Sequence, residues 1–257
     1  MDHIIIGIAA FGASGLTLFS GFGLGTLLMP VFAVFFPLEL AISLTAIVHL
    51  ANNLFKLLLL GRHADRRILF KFGIPAVAAA FLGAWCLSLF SKTPPLFSYV
   101  VFDKVAEITP LKLVLAFIMI FFALFELVPA YKNIRFDRKY LPFGGLVSGF
   151  FGGFSGHQGA FRSAFLIQSD LTRESFIGTG VAIACLVDFT RLAVYSSRFL
   201  PGLQSKYWPY AITGTLCAFT GAWLGNRLIK KVTIGNIQVL VSALLFLIAL
   251  GLASGII

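Results

Sequence analysis

Six apolar runs, each long enough to cross a bilayer as a helix, constrain this chain more than any other feature. They are Leu38–Leu60, Ile68–Phe90, Leu111–Tyr131, Ser175–Ser196, Tyr207–Ile229 and Gly235–Ile257. A membrane-spanning helix needs roughly 20 apolar residues. Charged residues make up 12% of the 257, where a soluble domain carries about a quarter. The deficit runs along the whole chain, so neither half is water-soluble. The fold class expected is an all-α polytopic membrane protein. The net charge of +10 does not signal nucleic-acid binding, because the basic residues sit in short clusters between apolar runs, as in cytoplasmic loops. Met1-Asp2-His3 followed by Ile4-Ile5-Ile6 lacks the basic opening of a signal peptide, so no cleavage is expected. Cys86, Cys185 and Cys217 lie inside apolar runs without CxxC spacing, and read as small core residues.

Two further apolar regions are broken by glycine. Ile4–Phe36 contains Gly12, Gly15, Gly21, Gly23 and Gly25. Leu141–Ile167 contains Gly144, Gly145, Gly149, Gly152, Gly153, Gly156 and Gly159. The pieces of the second region are too short to span at 1.5 Å per residue.

The halves repeat. Placing Glu39 on Glu174 brings Asn53 onto Asp188 and Lys56 onto Arg191. Phe81-Leu82-Gly83-Ala84-Trp85 matches Phe219-Thr220-Gly221-Ala222-Trp223, and Gly21-Phe22 matches Gly153-Phe154. Residues 1–131 and 132–257 therefore form two repeats within one membrane domain, each a glycine-broken segment followed by three full helices. Broken segments at matching positions of a duplication point to a transporter binding site. The loops Arg62–Lys71 and Lys132–Lys139 carry four Lys or Arg each, and Arg227–Lys231 carries three. Placing these clusters inside makes the segment 141–168 start and finish on one side, as a re-entrant hairpin. By symmetry Ile4–Phe36 is another. Three crossings per repeat then invert one repeat relative to the other, with both termini outside. The alternative is that each glycine-rich segment crosses as a kinked helix.

Hairpins entering from opposite leaflets bring their tips together near the midplane, where irregular backbone survives only inside protein or around a cavity. The second arms are expected to begin near Leu24–Thr26 and His157–Gly159. Helix starts there offer free N–H groups to an anion, and Gly23, Gly25 and Gly159 let backbone approach it. The competing reading is that the glycines only permit close helix packing. Candidate anion-binding residues are Gly23, Gly25, Thr26, Asn52, Asn53, Lys56, Ser155, His157, Gln158, Gly159, Arg162 and Arg191. A guanidinium in a membrane segment faces a partner or an aqueous cavity, and its fork suits an oxyanion. Asp188 and Arg191, three apart, share a helix face and can pair. Lys56 and Arg191 are candidates for two symmetric vestibules. Asp188 and His49 are candidates for coupling or gating, with a structural ion pair as the plainer reading of Asp188. Glu126 reads as snorkelling, and Glu39 and Glu174 as structural carboxylates at helix starts. No metal site and no cofactor are expected.

Gly21-Phe22-Gly23-Leu24-Gly25 followed by Pro30, the Asn53…Lys56 pair, the basic loop after it and the repeated Gly-Ala-Trp together resemble the sulfite exporter TauE/SafE family. The resemblance covers nearly the whole chain and rests on the ensemble of loose motifs. It implies a multi-pass protein of the bacterial inner membrane that moves sulfite, sulfoacetate or a similar organosulfonate, usually outward. Expected partners are that small anion and the bilayer, with a homodimer left open. The Ser-Gly-His-Gln insertion in the second glycine stretch departs from the plain glycine run of the family and leaves the exact substrate undecided.

Two other classes compete. Gly153-Phe154-Ser155-Gly156 matches the GxSG pattern of rhomboid intramembrane serine proteases, which need a histidine base within hydrogen-bond reach of the serine. No histidine follows His157, and His157 is expected not to face back onto Ser155. No HExxH or paired-Asp pattern supports another enzyme. A non-transporting assembly factor is the remaining alternative.

Overall fold

The computed structural model describes residues 1–20, 23–101, 104–127, 136–167, 169–198, 204–228 and 234–257. The Gly21-Phe22 match, the boundary between 131 and 132, the first half of the Lys132–Lys139 cluster and Lys230-Lys231 fall outside them, as do the side chains of Glu126 and Arg227. Among the described residues the regular structure is helical apart from one hairpin. The helices are α1 (Asp2–Ser20), α2 (Leu24–Phe35), α3 (Leu38–Leu60), α4 (Ile74–Phe90), α5 (Pro110–Leu127), α6 (Leu141–Ser155), α7 (Gly159–Leu166), α8 (Arg173–Arg198), α9 (Trp208–Leu228) and α10 (Ile234–Ala253). All six apolar runs thus carry a helix. Among the described residues, Leu38–His63, Arg66–Phe90 and Arg173–Ser197 are long and apolar enough to cross a membrane.

The chain divides into two compact units. The first comprises Met1–Trp85 and Arg135–Val232, the second Cys86–Ile134 and Thr233–Ile257. In the first unit, both glycine-rich regions break where the sequence predicts. The first resumes as a helix at Leu24. In the second, Gly156 ends α6 in the left-handed region, at φ 83°, a conformation that carries a steric penalty for any residue with a Cβ. α6 and α7, with 15 and 8 residues, reach about 22 and 12 Å at 1.5 Å per residue. Neither covers a hydrocarbon core of about 30 Å.

Matched residues of the two halves make matched contacts. A Cβ on Gly83 would overlap the carbonyl of Phe150 in α6, and a Cβ on Gly221 would overlap the carbonyl of Phe11 in α1. So the broken segment of each half lies against the second long helix of the other half. Gly145, Gly149 and Gly153 extend this seam along α6, against the backbone of Phe72, Ala76 and Ala80. Without a hydrophobic drive between helices in lipid, small residues and close backbone contact hold such seams. The packing reading therefore applies to the glycines inside α6. α3 packs along α8. Between α3 and α4, Asp65 caps the turn Arg66–Ile68 through Ile68 N–H (3.0 Å), and its own N–H donates to Thr179 Oγ1 (2.8 Å) in α8.

The polarity of this unit is inverted relative to a soluble domain. Phe81, Trp85, Leu186 and Phe189 are exposed, whereas Lys56, Asp188 and Arg191 are buried. An apolar exterior over a charged interior is what a hydrocarbon solvent demands.

In the second unit α5 packs on α10. Between α4 and α5, Phe97–Val101 (β1) pairs antiparallel with Lys104–Ile108 (β2), from Phe97↔Ile108 to Val101↔Lys104. Tyr99 Oη donates to the carbonyl of Ser254 just past α10, which ties the hairpin to the chain's end.

Candidate functional site

Helical spacing assembles one side of the site. His49, Asn53 and Lys56 stand four and three residues apart on α3, so they share a face, and all are buried. Across from them α8 presents Asp188 and Arg191, both fully buried. α7 adds Arg162, four residues beyond its N-cap Gln158. Gly23 leads into α2 without a side-chain cap.

Asp188 is the hub. Its Oδ2 accepts from His49 Nδ1 (2.6 Å) and Asn53 Nδ2 (3.1 Å). Its Oδ1 accepts from Gln158 Nε2 (3.2 Å) and forms an ion pair with Arg191 Nη2 (2.9 Å). A carboxylate has about four acceptor positions, and here a donor or a cation occupies each. Gln158 continues the chain: its Oε1 accepts from Arg162 Nη1 (3.2 Å), and its backbone carbonyl accepts from Ser148 Oγ (2.9 Å). The hub thereby links three separate segments of sequence.

Lys56 is held from its own helix. With the Asn52 amide oriented so that Oδ1 accepts from Lys56 Nζ (3.1 Å), Nδ2 donates to Ser14 Oγ (2.9 Å) and to the carbonyl of Ala218 (3.3 Å). The reverse orientation would set donor against donor and acceptor against acceptor, so the network itself assigns the amide. Asn52 thus fastens α3 to α1 and α9 while it positions the ammonium.

The two breaks meet here. A Cβ on Gly25 would lie 3.3 Å from the carbonyl oxygen of Gly156, and one on Gly23 would lie 3.8 Å from it. At Gly156 itself a Cβ would lie 2.6 Å from Arg191 Nη1, so Arg191 fills the space that a side chain would need. Beside this junction is a pocket lined by Gly23, His49, Asn53, Lys56, Arg162 and Ser163, with Phe176 and Val181 on its apolar side. It offers about 40 Å³ to the centres of water-sized molecules. At 10–15 Å³ per water that is about three waters, the scale of an oxyanion of four or five heavy atoms. Among the described residues three buried cations, Lys56, Arg162 and Arg191, face one buried carboxylate, Asp188, which leaves two positive charges over. Arg191 Nε is buried without a hydrogen-bond partner among those residues.

Residues 6–252 match the model of the sulfite exporter TauE/SafE family. The chain belongs to that family. No curated protein matches it. TauE/SafE is a family of membrane transporters, so the chain is a transporter-family protein and not an enzyme.

Seen as a TauE/SafE protein, its candidate residues separate by position. Gly23, His49, Asn53, Lys56 and Arg162 border the pocket. Asn52, Gln158, Asp188 and Arg191 stand behind them as holders. Gly25, against the carbonyl of Gly156, closes the junction of the breaks. Thr26 is buried, and its N–H donates to the carbonyl of Gly23 (3.1 Å). Gly159, the first residue of α7, is outside the pocket lining. Ser155 and His157 are also buried away from it, and here the expected geometry needs correction. His157 Nδ1 does turn back, to 3.0 Å from Ser155 Oγ and 3.2 Å from the Ser155 carbonyl, because the left-handed turn at Gly156 folds residue 157 over the end of α6. Ser155 Oγ in turn donates to the carbonyl of Phe151 (3.2 Å). Nothing supports the rhomboid reading in a TauE/SafE chain. The sequence reading missed Ser14, Thr17, Ser163 and Tyr195. Thr17 and Ser163 line the pocket, and Tyr195 Oη donates to the carbonyl of Gly153 (2.6 Å). Tyr195 stands four residues after Arg191, a spacing that would have placed it on the same face.

Proposed function

We propose that this chain is a secondary transporter that binds a small oxyanion, sulfite or an organosulfonate, in the pocket beside the two breaks and exports it across the bacterial inner membrane. The supporting observation is the charge excess: three buried cations against one carboxylate. A buried ion without compensation costs several kcal/mol, and an anion in the pocket supplies that compensation between Arg162 and Lys56. The multi-pass arrangement we propose has two inverted repeats, at 1–131 and 132–257, with residues 4–36 and 141–168 as re-entrant hairpins. The shortness of α6 and α7 and the matched contacts of Gly83 and Gly221 support it.

Flux in proteoliposomes decides the function. Purified protein should carry sulfite, with sulfate, thiosulfate, sulfoacetate and carboxylates tested beside it. Absence of flux for every anion in the panel would favour the non-transporting assembly factor. Reporters fused to the two termini should both read outside. A split reading would remove the inverted repeat and leave kinked, fully crossing segments.

A further inference from the structure

We propose that His49 takes up a proton together with the anion, so that the site loads an anion–proton pair. The inference rests on the anion-binding reading above and adds a second ligand to the same pocket.

Asp188 fixes the tautomer of His49. A carboxylate can only accept, so at 2.6 Å from Oδ2 it is His49 Nδ1 that carries the hydrogen. In the neutral ring Nε2 is then an unprotonated acceptor, with Asn53 Nδ2 at 3.4 Å. That edge turns toward the pocket: Nε2 is 3.5 Å from where a Cβ on Gly23 would sit, and both residues line the pocket. A lone pair facing an oxyanion repels it, and a proton on Nε2 turns the same atom into a donor.

Asp188 is the wrong group for this role. Its oxygens already receive His49, Asn53, Gln158 and Arg191, and it is not part of the pocket lining. A proton arriving there would have to displace one of them. It serves instead as a positioning residue for the imidazole.

The charges around His49 set the coupling. Asp188 and Arg191 face it from α8, Arg162 from α7, and Lys56 lies further along its own helix. The neighbours contributed at the start of α2, Gly23 and Gly25, do not titrate. In the empty pocket a proton on His49 would raise an excess of two positive charges to three, which disfavours it. An anion between Arg162 and Lys56 removes that obstacle. Coupling of this kind is reciprocal: the anion raises proton affinity at Nε2, and the proton raises anion affinity. The proton comes from the solution that supplies the anion and leaves with it on the other side.

The test is calorimetric titration of sulfite into purified full-length protein, run in buffers of different ionisation enthalpy to count protons taken up. Sulfite titrates in this pH range itself, so the quantity to compare is wild type against His49→Gln. Wild type should take up close to one more proton per sulfite bound, and sulfite affinity should lose much of its pH dependence in the variant. Equal proton uptake in the two would overturn the proposal while leaving the anion site intact. Undetectable sulfite binding by folded wild type would overturn the anion site, and this inference with it. If His49→Gln fails to fold, ¹⁵N-histidine spectra of wild type replace it: one imidazole should titrate at higher pH with sulfite than without, and unchanged titration of every histidine would overturn the proposal.

Discussion

Asp188→Asn is expected to destabilise the protein more than any other single charge-removing substitution in the membrane interior. The neutral amide would leave Lys56, Arg162 and Arg191 buried with no buried carboxylate among the described residues. It would also point donors at Gln158 Nε2 or His49 Nδ1, which now donate to Asp188. Breaking a buried pair by removing one partner costs about 3–5 kcal/mol, and in a chain of this size each kcal/mol lowers Tm by about 2–4 °C. A fall of about 6–20 °C in detergent is therefore expected. Sulfite should recover part of it, because a bound anion supplies the missing negative charge. Asp188→Asn combined with Arg191→Gln should be more stable than Asp188→Asn alone, since it removes one orphaned cation. A single variant with wild-type Tm and wild-type sulfite affinity would mean that the hub neither holds the fold nor shapes the site.

Most of the helices and the two breaks were legible because membrane helices announce themselves by length, and because a duplicated sequence checks itself. The match of Gly83 to Gly221 was visible as a repeated Gly-Ala-Trp, and the structure gives both glycines the same contact with the opposite half's broken segment. The β-hairpin at 97–108 was hidden because its strands are short and half-exposed, and because its anchor, the Ser254 carbonyl, lies 155 residues from Tyr99. The polar residues of the site were identifiable as costly groups in apolar helices, yet their division into pocket wall and support was not. Arg191 and Arg162 look alike as intramembrane arginines. One is consumed by an ion pair with Asp188 and the Gly156 turn, and the other lines the pocket. That difference depends on where α7 starts after Gly156, which no periodicity in the sequence reports. The turn of His157 back onto Ser155 depends on the same backbone angle.

Arg162→Ala is expected to weaken sulfite binding by about 30-fold or more, with the protein still folded. Arg162 is the pocket-lining guanidinium, and Nη1 is its nitrogen bonded to Gln158 Oε1, so its remaining donors are available to an oxyanion. Truncating one member of a buried, charge-assisted contact costs about 2–5 kcal/mol, and the lower figure already corresponds to about 30-fold. Folding should tolerate the change better than Asp188→Asn does, because removing a cation reduces the buried positive excess from two charges to one. Arg162→Lys keeps the charge but replaces the planar fork with a point charge, so its affinity should fall between wild type and Arg162→Ala. Arg138→Gln is the control for nonspecific loss of positive charge. Arg138 is exposed and pairs with Asp170, and its replacement should leave affinity unchanged. Titrations on monodisperse protein separate the cases. Wild-type affinity in folded Arg162→Ala would place the anion on Lys56 and the start of α2 instead. Equal loss in Arg162→Ala and Arg138→Gln would mean that sulfite responds to overall charge and not to this pocket.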